Sequence, residues 1–351
     1  MAEPKTLALD AMGGDHGPEV VIPGAALSLT RNPSLRFVAF GDESRMRAAL
    51  AEHPRLADRI RLVGTTLAIG MHDKPSQALR RGKGSSMWLA LEAVKSGEAQ
   101  AAISAGNTGA LMAISRLILR QIPGIERPAI AAQWPTVRRA CIVLDVGSNI
   151  GANARQLVEY ALMGAAMARA QFGIDRPTVG LLNVGVEEIK GNEDVKEANA
   201  WLKRESADLP LTYSGFIEGD QIGQGIVDVV VVEGFAGNIA LKTAEGTARQ
   251  ISTYLKGAMT QSLLTKAGAL IAKSGFKTLK SLTDPRNLNG APFLGLNGIA
   301  IKSHGGTDAV GFARAIDLGY ELAEKRVIDR IAGDIASIAG RLDTAAAGGS
   351  G

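Results

Sequence analysis

The feature that most constrains this chain is its regular alternation of short β-branched runs with longer Ala/Leu-rich stretches at helical spacing. Strand-like runs fall at 6–12, 36–41, 60–64, 101–106, 140–147, 178–185, 228–234 and 299–304. Between them the periodicity predicts helices near 18–30, 43–52, 85–96, 107–120, 153–172, 192–205, 238–256 and 309–325. A parallel neighbour is reached only through a crossover, and a crossover helix then covers one face of the sheet. The expected fold class is therefore α/β, a doubly wound and mostly parallel sheet. No internal repeat or Pro/Ser-rich linker divides it, so residues 1–340 read as a single domain. The Ala/Gly/Ser-rich end, 341–351, reads as a disordered tail.

Composition narrows the function. The single cysteine, Cys141, excludes an internal disulfide and a cysteine-based zinc site, which fits a reducing compartment. The first residues carry no secretory pattern, since Met1 to Lys5 is short and includes Glu3. No run approaches the ~18 apolar residues that span a bilayer. A cytoplasmic protein is expected, one that can still lie against a membrane. The formal net charge of +4 favours acidic partners without choosing among them. Nucleic acid is not expected, because no aromatic-basic cluster is present to stack bases.

The chemistry should lie where the strands end. The first run leads into Asp10-Ala11-Met12-Gly13-Gly14-Asp15-His16-Gly17, and later ones into Ser104-Ala105-Gly106-Asn107-Thr108-Gly109 and Asp145-Val146-Gly147-Ser148-Asn149. Asn183-Val184-Gly185, Glu233-Gly234-Phe235-Ala236-Gly237-Asn238 and Lys302-Ser303-His304-Gly305-Gly306 continue the series. Ligands of parallel sheets bind beyond the carboxyl ends of strands, where glycines permit close approach and free amides hold anions. Any one such turn can be structural only; six together predict a composite anion site. No G-x-x-x-x-G-K-[ST] loop and no G-x-G-x-x-G after a strand appears, which excludes the common nucleotide sites. Arg81-Gly82-Lys83-Gly84-Ser85-Ser86 follows no strand and reads equally as a solvated basic loop.

Leu9-Asp10-Ala11-Met12-Gly13-Gly14-Asp15, Ser104 to Gly109, Leu144 to Asn149, Lys190-Gly191-Asn192-Glu193, Gly234 to Asn238 and His304-Gly305 also carry a family resemblance. In order and spacing, from about residue 6 to 330, the chain resembles the acyl-[acyl carrier protein]:phosphate acyltransferases of bacterial phospholipid synthesis. Val186 departs from the pattern, at a place where a Thr or similar small residue is expected. The resemblance implies a fold like that of isocitrate and isopropylmalate dehydrogenases and of phosphotransacetylase. It also implies a homodimer on the inner face of the cell membrane and a reaction without cofactor. Acyl carrier protein and inorganic phosphate would be its substrates, and a membrane glycerol-3-phosphate acyltransferase would use the acyl phosphate made.

That reaction needs phosphate held, aimed at a thioester carbonyl, and the oxyanion stabilised. Lys190 is the first candidate for the catalytic cation, against the reading of a plain surface lysine. Asn238 can donate to the same oxygens or serve only as a helix cap. His304 can donate to phosphate, protonate the leaving thiol, or be a hydrogen-bonded structural residue. Asp10 and Asp15 either orient such donors or fasten the Gly13-Gly14 turn. Asn107, Thr108, Asp145, Ser148, Asn149, Asn183 and Lys302 complete the expected phosphate and substrate contacts. Asp15 and His16 lack a third metal ligand, so no metal site is expected. Cys141 reads as a core residue.

Residues 255–290 read as an inserted helical hairpin. Leu255, Met259, Leu263, Leu264, Ala267, Leu270 and Ile271 form an apolar stripe, followed by Phe276, Leu279 and Leu282. Lys256, Lys266, Lys273, Lys277, Lys280 and Arg286 oppose a single acid, Asp284. Such a surface suits an anionic membrane or an acidic carrier protein, with Leu263, Leu264, Lys266, Leu270, Lys273 and Lys277 in contact; dimer packing is the alternative. Competing functions are a phosphotransacetylase-type enzyme using acyl-coenzyme A, a decarboxylating dehydrogenase, and a non-catalytic membrane-bound scaffold.

Overall fold

The computed structural model describes residues 4–347. Its first stretch holds β1 (Thr6–Asp10), α1 (Pro18–Arg31), β2 (Arg36–Gly41), α2 (Glu43–Ala51) and β3 (Ile60–Gly64). There follow α3 (Pro75–Arg81), α4 (Ser86–Lys95), β4 (Ala101–Ser104) and α5 (Thr108–Leu119). The middle is β5 (Ala129–Trp134), β6 (Cys141–Leu144), α6 (Ala154–Phe172), β7 (Thr178–Leu182), α7 (Glu193–Glu205), β8 (Thr212–Ile217) and β9 (Val229–Val231). Then come α8 (Gly234–Thr260), α9 (Leu263–Ile271), α10 (Lys273–Thr283), β10 (Ala291–Leu294), β11 (Ile299–Lys302), α11 (Ala309–Glu324) and α12 (Val327–Ala347).

The described strands form one eleven-stranded sheet in the order β3-β2-β1-β4-β11-β10-β5-β6-β9-β7-β8. Period-two alternation assigns its faces. Leu7, Leu9, Ile103 and Ile301 join the core under α1, α6, α11 and α12, while Ala8, Ala102 and Ala300 join the core under α4 and α5. Packing on the first face is tight: a Cβ on Gly24 would come within 3.0 Å of the fully buried Phe312 ring. Truncating such a ring to Ala costs about 3–5 kcal/mol.

Three strands lie outside the sequence expectation, each lacking the usual strand signal. β5 is Ala-rich, β8 is interrupted by Gly215, and β10 is short and contains Pro292. α12 is also unanticipated. Val327, Ile331, Ile335 and Ile338 are all buried along one helical face, which packs against α6. That helix runs to Ala347, so residues 341–347 are helical where a disordered tail was expected; 348–351 lie outside the described residues. The predicted 238–256 helix begins earlier, at Gly234, and continues to Thr260.

The central strands decide strand direction. β11 with β10, β10 with β5 and β5 with β6 are three antiparallel pairings in succession. Three reversals leave β6, β9, β7 and β8 antiparallel to β3, β2, β1, β4 and β11. The carboxyl ends of the two parallel groups therefore lie at opposite edges of the sheet.

The α8–α10 segment is sparingly packed. Only Gly234 and Gly237 of α8 are buried, and nothing in α9 is. An isolated helix gains little stability in water, so this exposed arm presents apolar surface in want of cover.

Candidate active site

At the first edge, β1, β4 and β11 lie side by side in a register that puts Asp10, Ser104 and Lys302 in one row. The Asp10 carboxylate is buried and accepts hydrogen bonds from Ser104 Oγ and Ser86 Oγ, both at 2.6 Å. Burial pushes its carboxyl above the usual range, and the two hydroxyls pull it back. Gly13 must be glycine: a Cβ there would stand 2.6 Å from Asp10 Oδ2 and 2.7 Å from the Gly106 nitrogen. Gly14 has φ 84°, and the following Asp15 N–H donates to the Gly305 carbonyl at 3.0 Å. The glycine turn after β1 is thereby stitched to the one after β11.

Lys302 is half-buried at this seam. Its Nζ donates to the carbonyls of Ala105, at 3.2 Å, and Ser303, so one of its three N–H groups has no protein partner among the described residues. Loss of water around the ammonium lowers its value to about 8, while the charges of Asp10 and Asp15 resist that fall. His304 is exposed; its Nδ1 accepts from the Gly306 N–H at 3.2 Å. An accepting Nδ1 puts the neutral ring's proton on Nε2, which makes Nε2 the donor offered to a ligand. Asn289 braces the turn: its Oδ1 accepts from the His304 N–H, and its Nδ2 donates to Ser303 Oγ and the Gly311 carbonyl.

Ser86, Ser104 and Asn289 were not singled out in the sequence. Ser104 sits in one of the polar strand ends and Ser86 is the last residue of the basic loop, so both carry a signal; Asn289 carries none. Asn107, by contrast, is occupied. Its Oδ1 caps α5 through the Ala110 N–H, and its Nδ2 donates to the carbonyls of Met71 and Asp73, each at 2.9 Å. It closes a neighbouring loop. Thr108, in the first turn of α5, is exposed.

At the second edge, Asp145 is fully buried and accepts from the N–H groups of Ile130, Gly147, Ser148 and Asn149 and from Asn149 Nδ2. Burial still pushes its carboxyl up, against the pull of these donors. Ser148 Oγ and Asn149 Nδ2 both donate to the Pro128 carbonyl, and Asn149 Nδ2 also reaches the Tyr160 hydroxyl. All three side chains hold the turn together. Removing the Asp145 carboxylate would strand several buried donors, each costing about 1–3 kcal/mol.

The start of α8 lies directly on that turn, since a Cβ at Gly237 would come within 2.0 Å of the Asp145 carbonyl. Asn238 Nδ2 donates to the Val146 carbonyl at 2.9 Å. The α8 N-terminus is itself capped by Glu233, which accepts from Phe235, Ala236 and Gly151. That carboxylate already occupies the position an anion would take. Asn183 Nδ2 donates to the Lys190 carbonyl at 3.1 Å, and Gly191 at φ 92° lets the loop close over it. Lys190 is left exposed, flanked by exposed Val184, Val186 and Ile189.

The composite site expected from six strand ends is thus divided within one chain. Asp10, Gly13, Gly14, Asp15, Lys302 and His304 gather at the first edge; Asp145, Ser148, Asn149, Asn183, Lys190 and Asn238 gather at the second. β10 and β5 stand between β11 and β6, roughly 14 Å of lateral spacing in addition to the strand length. Opposed strand directions, which local periodicity does not encode, cause the division.

Among the described residues no group of three His, Cys, Asp or Glu could hold a metal ion. Cys141 is buried at the opposite end of β6 from the Asp145 turn, and burial raises its thiol to about 12. On the arm, Leu263, Leu264, Leu270, Lys266, Lys273 and Lys277 are all exposed. Arg286 is not part of an unopposed basic face, because it pairs with Asp284 and Asp308 at 2.6 and 2.9 Å. The Lys280 side chain lies outside the described residues. No helix among the described residues is long and apolar enough to cross a membrane.

Known proteins match this chain almost end to end. A family model described as fatty acid synthesis protein matches residues 5–330. The phosphate acyltransferase of Afipia carboxidovorans is 60% identical over 94% of either chain. That of Azorhizobium caulinodans is 58% identical, over 94% of this chain and 93% of its own. Among solved structures, a phosphotransacetylase from Streptococcus pyogenes superposes with TM-score 0.62 at 18% identity, covering 92% of this chain and 95% of the other. A 4-hydroxythreonine-4-phosphate dehydrogenase from Klebsiella pneumoniae gives 0.53 at 17% identity, covering 92% and 99%. These distant structures share the large mixed, mostly parallel sheet, and at such identity the likeness concerns the fold alone. With relatives of well over half identity along nearly its whole length, the chain belongs to the phosphate acyltransferase family.

Proposed function

We propose that this chain moves a fatty acyl group from acyl carrier protein to inorganic phosphate, making acyl phosphate for phosphatidic acid and phospholipid synthesis. A phosphate oxygen attacks the thioester carbonyl, the carbon–sulfur bond breaks, and the carrier's thiolate takes up a proton. Phosphate is already nucleophilic at neutral pH, so positioning and charge stabilisation carry the catalysis. The observation that carries this reading is Lys302, a half-buried cation at a seam of paired glycines with one N–H unspent. It holds the phosphate, His304 Nε2 donates to the same group, and Asp10 and Asp15 orient the cation.

Lys190 and Asn238 are the donors to the developing oxyanion. Because they occupy the other edge of the sheet, they meet Lys302 and His304 only when one protomer's second edge faces its partner's first. The reading therefore requires a homodimer, within an architecture of the isocitrate and isopropylmalate dehydrogenase kind. The exposed basic and apolar arm supports docking on the inner, anionic face of the cell membrane, where a membrane glycerol-3-phosphate acyltransferase would take the product. The deciding experiment supplies purified protein with long-chain acyl carrier protein and phosphate and looks for acyl phosphate. Turnover with acetyl-coenzyme A alone would replace this reading with a phosphotransacetylase.

A further inference from the structure

Beside the loop that carries Lys190 is a cavity of about 380 Å³ between α7 and β8. Val186 belongs both to that loop and to the cavity wall, and Glu188 on the same loop pairs with Lys203 in the opposite wall at 2.5 Å. The remaining wall is formed by Asn199, Tyr213, Ser214, Gly215 and Phe216. Asn199 is 6% exposed; its Oδ1 accepts from the Tyr213 hydroxyl at 2.7 Å, and its Nδ2 has no partner among the described residues. The Asn199 amide therefore offers its donors to whatever fills the cavity.

β8 ends the sheet, so the outer N–H and C=O groups of this strand have no neighbouring strand among the described residues. Gly215 at φ 85° breaks its regular pleat, and nothing stands within 4 Å of where its Cβ would be. The site thus combines an open backbone edge, an amide, two hydroxyls and a lysine paired with Glu188, with two aromatic side chains and one aliphatic one. Its volume lies within the ~300–1,000 Å³ of small-molecule sites. A fatty chain does not suit so polar a wall, since each polar group it covered would lose its water without replacement.

We infer that this cavity receives the phosphopantetheine arm of the acyl donor, with the arm's amides pairing along the β8 edge and at Asn199. The arm is a slender chain bearing two amides, each needing one donor and one acceptor, and it ends in the thioester. An open strand edge meets that need as it would for an extended peptide. Lys203 is already paired with Glu188 beside the Lys190 loop, so the arm is held through its amides, and the thioester is led toward that loop. This assignment rests on the acyl-transfer reading above, and it goes further by naming the part of the donor that is recognised.

Ser214 is exposed, so Ser214→Trp fills the cavity without touching the core. The test compares acyl carrier protein with an acyl-N-acetylcysteamine thioester, which lacks most of the arm, and measures acyl-coenzyme A, which shares it, in parallel. Ser214→Trp should lower kcat/KM for both arm-bearing donors about tenfold or more relative to the truncated one. Asn199→Leu, with its fold checked by circular dichroism, should shift the same ratio in the same direction. Free pantetheine should compete with acyl carrier protein in the wild-type enzyme and lose potency in the Ser214→Trp variant. An unchanged donor ratio in both variants, or pantetheine without competitive effect, overturns the assignment. A loss confined to acyl carrier protein, with acyl-coenzyme A unaffected, also overturns it and points to a contact with the carrier's own surface. If the wild-type enzyme makes no acyl phosphate from any donor, the fault lies with the acyl-transfer reading instead.

Discussion

Asn238 donates its side-chain amide to the carbonyl oxygen of Val146 at 2.9 Å, fastening the first turn of α8 to the turn that follows β6. The bond uses one of the two Nδ2 hydrogens and holds the side chain in one orientation, which leaves its other hydrogen pre-aimed. Lys190, exposed on the adjacent strand-end loop, has no such restraint among the described residues. A donor held before substrate arrives costs no reorganisation during the reaction.

Asn238→Ala and Lys190→Ala should each lower kcat by about 10²–10³ while the fold remains. Steady-state kinetics with melting curves check this, and near-normal turnover in both would move the oxyanion site elsewhere. Mixing Lys190→Ala with His304→Ala protein should restore activity, since a hybrid dimer keeps one site with both residues intact. No recovery after subunit exchange would argue that the two edges serve separate purposes.

Gly13→Ala should cost about 1–3 kcal/mol and most of the activity, because the new methyl group meets the Asp10 carboxylate and the Gly106 nitrogen. Gly246→Ala is the matched control. It lies within α8 with open space around it, and the change should stabilise by about 0.5–1 kcal/mol. Chemical denaturation of both variants tests the contrast, and a tolerant Gly13 would disprove the close approach there.

Lys302 predicts an alkaline limit to phosphate use. Its value falls from an ordinary 10.5 to about 8 in the fold, so the cation is lost as pH rises through about 8. The KM for phosphate should rise above that pH, while in Lys302→Met it should be high at every pH. The stability linkage has the opposite consequence. The folded state penalises the protonated form, so this group's penalty is full below about 8 and is relieved as pH climbs toward 10.5. A phosphate KM flat from pH 7 to 9.5 in the wild type would remove Lys302 from the phosphate site.

The α8–α10 arm should hold the enzyme on anionic vesicles. Leu263, Leu264 and Leu270 are 86%, 82% and 71% exposed, and their burial in lipid contributes ~25 cal/mol per Å². Each nearby lysine adds up to ~1 kcal/mol at an anionic surface. Replacing the three leucines with Glu should release the protein in a flotation assay. Turnover should persist if the arm is only an anchor. Loss of activity without lipid would assign the arm to carrier docking or dimer packing, and wild-type protein that ignores anionic vesicles at low salt would end the membrane reading.

Sequence by itself determined the α/β class, eight of the sheet's strands and the residues that crowd the strand ends, because burial on two faces writes hydrophobic periodicity into local stretches. Gly13 and Asp10 were legible for the same reason: a tight turn and a buried carboxylate constrain residue type at the position itself. Strand direction was not legible. It depends on β5, an Ala-rich strand, and β10, which contains Pro292, whose places in the sheet come from partners far away in sequence. Nor could the motif around Asn107 or Asp145 reveal that its polar groups are already hydrogen-bonded within the protein. Only the tertiary structure decided which polar side chains remain free for a ligand, because whether a donor is spent depends on what the rest of the chain brings beside it.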